Sequence, residues 1–211
     1  MKIRWIGHAS FHIETEDGLR IRTDPYDASI GLPLSRLQAD VVTVSHDHSD
    51  HNAAATVPGK PAVLRGPGTR TVRGVTFCAV ATYHDDSRGS KRGPNAVFSI
   101  RAEGIAVVHL GDLGHPLGKE QVEALGQVDI LLVPVGGVYT IDAAQAATLA
   151  TALKARIVVP MHYKIPGLSV AVGGIEPFLK GKSNVRHADE ITVSEGSLPE
   201  RQEIVVLPPR P

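Results

Sequence analysis

Between residues 41 and 51 the chain reads VVTVSHDHSDH. Four cation-binding side chains, His46, His48, Asp50 and His51, fall within six positions directly after a β-branched apolar run. The run predicts a buried strand, and the cluster a metal site at that strand's C-terminal mouth. Residues two apart in an extended loop point the same way, so His46 and His48 can share one ion. Asp50 and His51 are neighbours, diverge, and can serve a second ion. Imidazole nitrogen and carboxylate oxygen suit a borderline cation such as zinc.

Four more apolar runs end in the same manner. FCAVATYHD reaches His84, IAVVHLGD reaches Asp112, ILLVPVGG ends in a glycine pair before Tyr139, and IVVPMHY reaches His162. If these strands share one orientation, their C-terminal ends gather at one sheet edge and the ligands converge on a rigid scaffold. Seven residues then suffice for two ions. His46, His48 and His84 would hold the first, Asp50, His51 and His162 the second, and Asp112 would bridge them. Gly111, lacking Cβ, would let the backbone approach the ions.

The elements that must position these residues are short. Strands are predicted at 2–6, 11–14 and 19–23, with Asp17-Gly18 as a hairpin turn. Residues 25–39 form a loop broken by Gly31 and Pro33. A short helix at 52–57 follows the cluster, then strands at 62–64, 71–73, 75–81, 96–101 and 105–109. In the second half, a helix at 119–125 closes on Gly126. Asp142 caps a helix running through Lys154, with Gln145 at the capping-box position. Strands at 130–133 and 157–159 flank it. A short helix at 175–179 and strands at 191–193 and 203–207 complete the chain, and the PPRP tail is expected to fray. Strand-rich segments with interspersed helices imply packed sheets covered by helices, in one domain spanning 1–211.

The chain has 211 residues, enough for a sizeable core. Its 22 basic residues balance 22 acidic ones, which argues against nucleic-acid or anionic-membrane binding. Cys78 is the single cysteine, so no internal disulfide forms and a reducing, cytoplasmic home is expected. No apolar run is long enough to span a membrane.

HDHSDH matches the HxHxDH signature of the metallo-β-lactamase superfamily, and GHASF, RGPN, HLGDLGH, PVGGVYTID and PMHY extend the resemblance along nearly the whole chain. It is most similar to the compact branch of metal-dependent hydrolases, and more distantly to the ascorbate-phosphate lactonases. The resemblance implies an α/β, four-layer αββα sandwich of two mixed β-sheets flanked by helices, with the seven residues above as ligands. Substrate is not implied, because one fold hosts many chemistries. The cysteine ligand of class B β-lactamases is absent, since Cys78 sits mid-strand. His48 stands where flavo-diiron relatives carry Glu, which favours hydrolysis over electron transfer.

The expected cofactors are two Zn²⁺, with Mn²⁺ or Fe²⁺ as alternatives. Two divalent ions with Asp50, Asp112 and a bridging hydroxide leave a core charge of about +1, suited to an anionic or ester-like small molecule. The hydroxide would attack an ester, lactone or phosphodiester, and Asp50 could pass a proton to the leaving group. Competing readings are a nuclease of the same fold and a non-catalytic metal-binding or sensing module. Candidate substrate or supporting residues are His8, Asp24, Arg92, Asn95, His115, Tyr139 and Tyr163. Asp24 would brace a ligand histidine. Arg92, with Arg88 and Lys91, lies on the loop 86–95, which reads as solvated and flexible unless it clamps an anion. His12, His109 and His187 read as structural or solvated.

Overall fold

A computed structural model describes residues 1–211. The strands, in chain order, are β1 (Lys2–Gly7), β2 (Ser10–Glu14), β3 (Arg20–Thr23), β4 (Val41–Val44), β5 (Ala62–Arg65), β6 (Gly68–Val72), β7 (Val75–Tyr83), β8 (Pro94–Ala102), β9 (Ile105–His109), β10 (Ile130–Pro134), β11 (Ile157–Met161), β12 (Val185–His187), β13 (Ile191–Thr192) and β14 (Glu203–Val206). The helices are α1 (Lys119–Leu125), α2 (Ala143–Ala152) and α3 (Glu176–Leu179).

Two mixed sheets pack face to face. The first runs β13-β1-β2-β3-β4-β5 and the second β12-β14-β11-β10-β9-β8-β7-β6. In the second, β9, β10 and β11 are parallel. β7 and β9 are each antiparallel to β8, so β7 points the same way as β9. Thus β7, β9, β10 and β11 all bring their C-terminal ends to one edge. In the first sheet β3 and β4 are parallel, and their C-terminal ends lead into Asp24 and Ser45. Burial follows from this arrangement. β9, β10 and β11 are buried at every residue, as expected for parallel strands covered on both faces. β7 instead alternates buried and half-buried positions along most of its length.

One apolar cluster joins the sheets, with Trp5, Phe11, Phe77 and Phe98 among its largest members. α1 packs on β7, α2 on β10, and α3 on α2, so the helices cover the second sheet. On the first sheet, Val42 and Val44 meet Ala39, Val57 and Ala54 from irregular chain and a 3₁₀ turn at Ala54–Thr56. Arg22 of β3 donates to Ser35 within the same cover. Breakers at Pro25, Gly31 and Pro33 account for an irregular layer there.

Local signals behave as the residues dictate. Asp142 caps α2 by accepting from the Gln145 amide, and the Gln145 side chain takes the Asp142 amide in return. α2 ends at Ala152, not at Lys154, which turns left-handed at φ +53°. Arg73 lies outside its expected strand because Arg73 and Gly74, both at positive φ, turn β6 into β7. The tail does not fray. The Arg210 amide bonds to the Trp5 carbonyl at 2.8 Å, and its guanidinium pairs with Asp189. β12 carries no periodic signal in the sequence, being only Val-Arg-His with one half-buried and two exposed residues.

Candidate metal centre

The 45–51 loop curls so that the amides of His51 and Asn52 both bond to the His48 carbonyl at 2.9 Å. That turn lets His51 fold back beneath His46. His84 follows β7, Asp112 lies three residues past β9, and His162 directly follows β11. Two ligand groups result. In the outer group, donor atoms of His46, His48 and His84 lie within 4.8 Å of one another. In the inner group, His8, Asp50, His51 and His162 do the same. Asp112 joins them, its Oδ2 lying 3.2 Å from His84 Nε2, 3.2 Å from His162 Nε2 and 3.3 Å from His51 Nε2. The seven residues picked out in the sequence therefore come together, and His8 stands with them.

Asp24 is wholly buried at the end of β3 and holds much of this in place. Its Oδ1 accepts from the Ser45 amide at 2.8 Å, and its Oδ2 takes the Ser45 hydroxyl and His51 Nδ1. Two tautomers follow. His51 donates its Nδ1 proton to Asp24, so Nε2 is the nitrogen that faces Asp112 and would serve an ion. Ser45 spends its only proton on Asp24, so it accepts from His46 Nδ1 and leaves His46 Nε2 bare. His46 Nε2 lies 3.1 Å from His48 Nδ1, so the outer group converges through those two atoms and His84 Nε2. Beneath Asp50, His8 Nε2 donates to Oδ2 at 3.1 Å. His8, Asp24 and His162 all hold positive φ without being glycine, the kind of local strain that gathers at functional sites.

The charge balance is unusual. No lysine or arginine pairs with Asp24, Asp50 or Asp112; their ionisable partners are histidines. Burial pushes His8 down to about 4 and His46 to about 3. His51 goes the other way. Burial opposes its charge, yet Asp112, Asp24 and Asp50 together hold it well above the ordinary imidazole range. Burial likewise opposes the Asp112 carboxylate, but His162 and His51 pull it far below normal. Asp112 Oδ1, His51 Nε2 and His162 Nε2 are buried without a hydrogen-bond partner. Buried polar atoms are costly when unpartnered, and a divalent cation would satisfy all three. The donor set of imidazoles and carboxylates fits such an ion, which would take the place of the proton on His51 Nε2.

Gly111 is required, although its neighbours differ from those expected. At φ +56°, a Cβ there would lie 2.4 Å from Asn95 Oδ1 and 2.5 Å from Ser45 Cβ. The close approach is therefore to the brace of the site and not to the ions. Asn95 accepts from the Asp112 amide and donates to Thr82 Oγ1 and the Leu110 carbonyl, so its amide positions the Asp112 turn. His115 is also spent. Nε2 accepts from the Tyr83 amide and Nδ1 donates to the Pro116 carbonyl, which clips the Asp112 loop to the end of β7. Tyr163 points away from the centre. It packs on Trp5 with ring centroids 5.1 Å apart and lines a separate surface cleft with His187 and Asp189, and burial pushes its hydroxyl up to about 12. His109 is structural, bonded to the Ala9 carbonyl and the Gly111 amide.

A cleft of about 620 Å³ opens beside the outer group, lined by His46, His48, Arg65, Tyr83, Arg92 and Asn95 among others. Arg92 stacks over the Tyr139 ring at 5.0 Å. Its loop is not free. Asp85 accepts the amides of Ser87, Gly89, Lys91 and Arg92, which folds residues 85–92 around one carboxylate and pulls Asp85 down to about 2 despite burial. Ser45, Arg65 and Asp85 were not singled out in the sequence. Ser45 and Arg65 acquire their roles only through tertiary contacts. Asp85, ahead of a glycine-rich polar stretch, was the one signal available.

A sandwich of this topology with histidines and carboxylates on one rim defines a class of metal-binding proteins, and comparison places the chain within it. The family described as "Beta-lactamase superfamily domain" matches residues 2–162. A "UPF0173 metal-dependent hydrolase" of Methanoculleus marisnigri is 32% identical over 188 residues, covering 77% of this chain and 81% of its own. The crystal structure of a Thermotoga maritima protein, assigned to the Zn-dependent hydrolases of the metallo-β-lactamase superfamily, superposes with a TM-score of 0.83. It is 42% identical, over 98% of this chain and 97% of that one. The metallo hydrolase Igni18 of Ignicoccus hospitalis shares the fold at a TM-score of 0.62 and 24% identity, covering 81% and 86% of the two chains. The chain thus belongs to the β-lactamase superfamily, within its family of metal-dependent hydrolases. No helix is long and apolar enough to cross a membrane.

Proposed function

We propose that this protein is a metal-dependent hydrolase of a small ester, lactone or phosphodiester, working with two divalent ions, zinc in the first instance. The observation that carries the reading is Asp112 Oδ2, within 3.3 Å of histidine nitrogens from both ligand groups and with no basic side chain to neutralise it. His46, His48 and His84 would hold one ion, Asp50, His51 and His162 the other, and Asp112 both. Bound there, such ions supply Lewis acidity and make water acidic enough to yield a nucleophile near neutral pH.

The chain's own part is positioning and proton handling. Asp24 fixes His51 in the tautomer that presents Nε2, and Ser45 does the same for His46. Asp50, partly open to solvent and hydrogen-bonded by His8, is placed to carry a proton to the leaving group. His48 is exposed at the mouth, so substrate would enter on the outer side. No serine or cysteine nucleophile is required. A reducing, cytoplasmic setting fits the lone cysteine.

The test couples metal analysis to a hydrolysis screen on one preparation. Close to two equivalents of metal, with turnover on at least one of ester, lactone, thioester or phosphodiester panels, is the expected result. Full occupancy without turnover on any panel would instead favour a binding or sensing module.

A further inference from the structure

We propose that the cleft beside His46 and His48 contains an oxyanion subsite built on Arg65 and Arg92, which anchors a phosphate or carboxylate of the substrate away from the bond that breaks. The last clause rests on the hydrolase reading; the subsite itself does not.

Arg92 is the stronger half. Its backbone amide is held by Asp85, together with three other amides of the same loop, so the residue is carried on ordered chain. Its guanidinium lies over Tyr139 at 5.0 Å, makes no hydrogen bond to protein and pairs with no carboxylate. A cation over a ring face spends no N–H donor on a protein acceptor, so the guanidinium donors stay available. Those donors form the fork that matches a phosphate or carboxylate.

Arg65, at the end of β5, lines the same cleft. Its one carboxylate partner is Asp47, at 2.7 Å, with side-chain exposures of 44% and 86% for the two residues. Exposed pairs of this kind are weak. Asp47 sits between His46 and His48 and can swing into solvent, which would hand Arg65 to a ligand. Asp47 is also the sole carboxylate among the residues lining the cleft. A compact anion there would meet two guanidiniums while its other end lay against the outer ligand group.

The probes are phenylphosphonate, benzoate and phenol, titrated calorimetrically into metal-loaded protein. Phenylphosphonate or benzoate should bind well ahead of phenol. Arg92→Gln and Arg65→Gln should each weaken the preferred anion at least tenfold, with metal content unchanged. Asp47→Asn, which frees Arg65, should tighten it severalfold. Arg70→Gln, a nearby exposed arginine on β6 outside the cleft, controls for the general field and should change affinity less than twofold. The proposal is overturned if the anions bind no better than phenol, if neither cleft arginine matters, or if Arg70→Gln matters as much. Loss of anion affinity in the variants of a chain that hydrolyses nothing would sink the hydrolase reading alone. Turnover with arginine-independent binding would sink the subsite alone.

Discussion

The outer and inner ligand groups present similar side chains but are supported differently. His48 is exposed and has no brace beyond its neighbour His46. His84 leaves its Nδ1 unpartnered. The inner group draws on β1, the 45–51 loop and β11, is buried except at Asp50, and has a partner behind two of its members: Asp24 behind His51 and His8 behind Asp50. A site with one half more firmly braced and the other opening at His48 can keep an ion in place on one side while admitting substrate on the other. The comparison predicts that the halves differ in metal affinity and in what their loss does to the fold.

Asp112 is the one residue that should erase the difference, because it touches both groups. Asp112→Ala removes the shared carboxylate, and both ions should weaken together. Removing one pre-placed stabilising group commonly costs about 10²–10³ in rate, so losing a shared ligand should cost at least about 10³. Circular dichroism should change little, since the carboxylate supports no core contact. If calorimetric metal titration of the variant loses a single binding step, the halves are independent and Asp112 does not join them.

Asp24→Ala should separate the halves. It strips the brace from His51 and leaves the buried Ser45 amide without its acceptor. Breaking a buried charged network typically costs about 3–5 kcal/mol of stability, readable by urea denaturation of metal-free protein. Inner-ion affinity should fall about 10- to 100-fold, the range seen when the partner behind a ligand is lost. The outer ion should suffer less, because the Ser45 hydroxyl can still accept from His46 Nδ1. Equal loss at both positions would show that Ser45 transmits the brace fully to His46.

What the sequence discloses about this arrangement follows a different divide, between ligands and their support. All seven proposed ligands, outer and inner, are legible because apolar runs end in ligand-type residues, and co-directional strands gather such ends. Support is harder to read. Asp24 was visible only as a residue ending a strand, and its three side-chain hydrogen bonds depend on β3 and β4 being parallel neighbours. Tyr163 misled because it follows His162 directly. The positive φ of His162, +54°, turns the chain and sends the tyrosine to Trp5 instead. The 86–95 loop read as solvated because its composition is polar, whereas one carboxylate collecting four amides orders it. Sheet orientation turned local signals into a site, and contacts between distant segments supplied everything behind it.

Gly111→Ala probes the seam between Asp112 and the Ser45–Asn95 brace. The new methyl would stand 2.4 Å from Asn95 Oδ1 at a backbone φ of +56°. Overpacking of this kind costs about 1–3 kcal/mol, with left-handed strain of about 1–2 kcal/mol added. Thermal denaturation should show the loss. Asp112 should be displaced as well, so a stable variant with normal metal content would mean that the turn has room the geometry does not show.

The smallest expected effect, and the sharpest on how the inner half works, is at His8. It lies within ligand distance of Asp50, His51 and His162, with its ring 4.1 Å from that of His162. Two roles fit that position: a fourth protein ligand to the inner ion, or a donor that holds Asp50 in place. Nε2 lies 3.1 Å from Asp50 Oδ2 while Nδ1 is buried with no partner, so a neutral ring gains a hydrogen bond only with its proton on Nε2. A protonated nitrogen donates and does not ligate, which favours the holding role. His8→Ala should then weaken the inner ion about tenfold, whereas His8→Gln, whose amide can still donate to Asp50, should recover most of it. Substituting cobalt gives a readout independent of turnover. The visible ligand-field bands should be alike in wild type and His8→Gln, because the ligands are the same. A shift of those bands in both variants, with no recovery by glutamine, would make His8 a ligand and leave the inner ion saturated by protein.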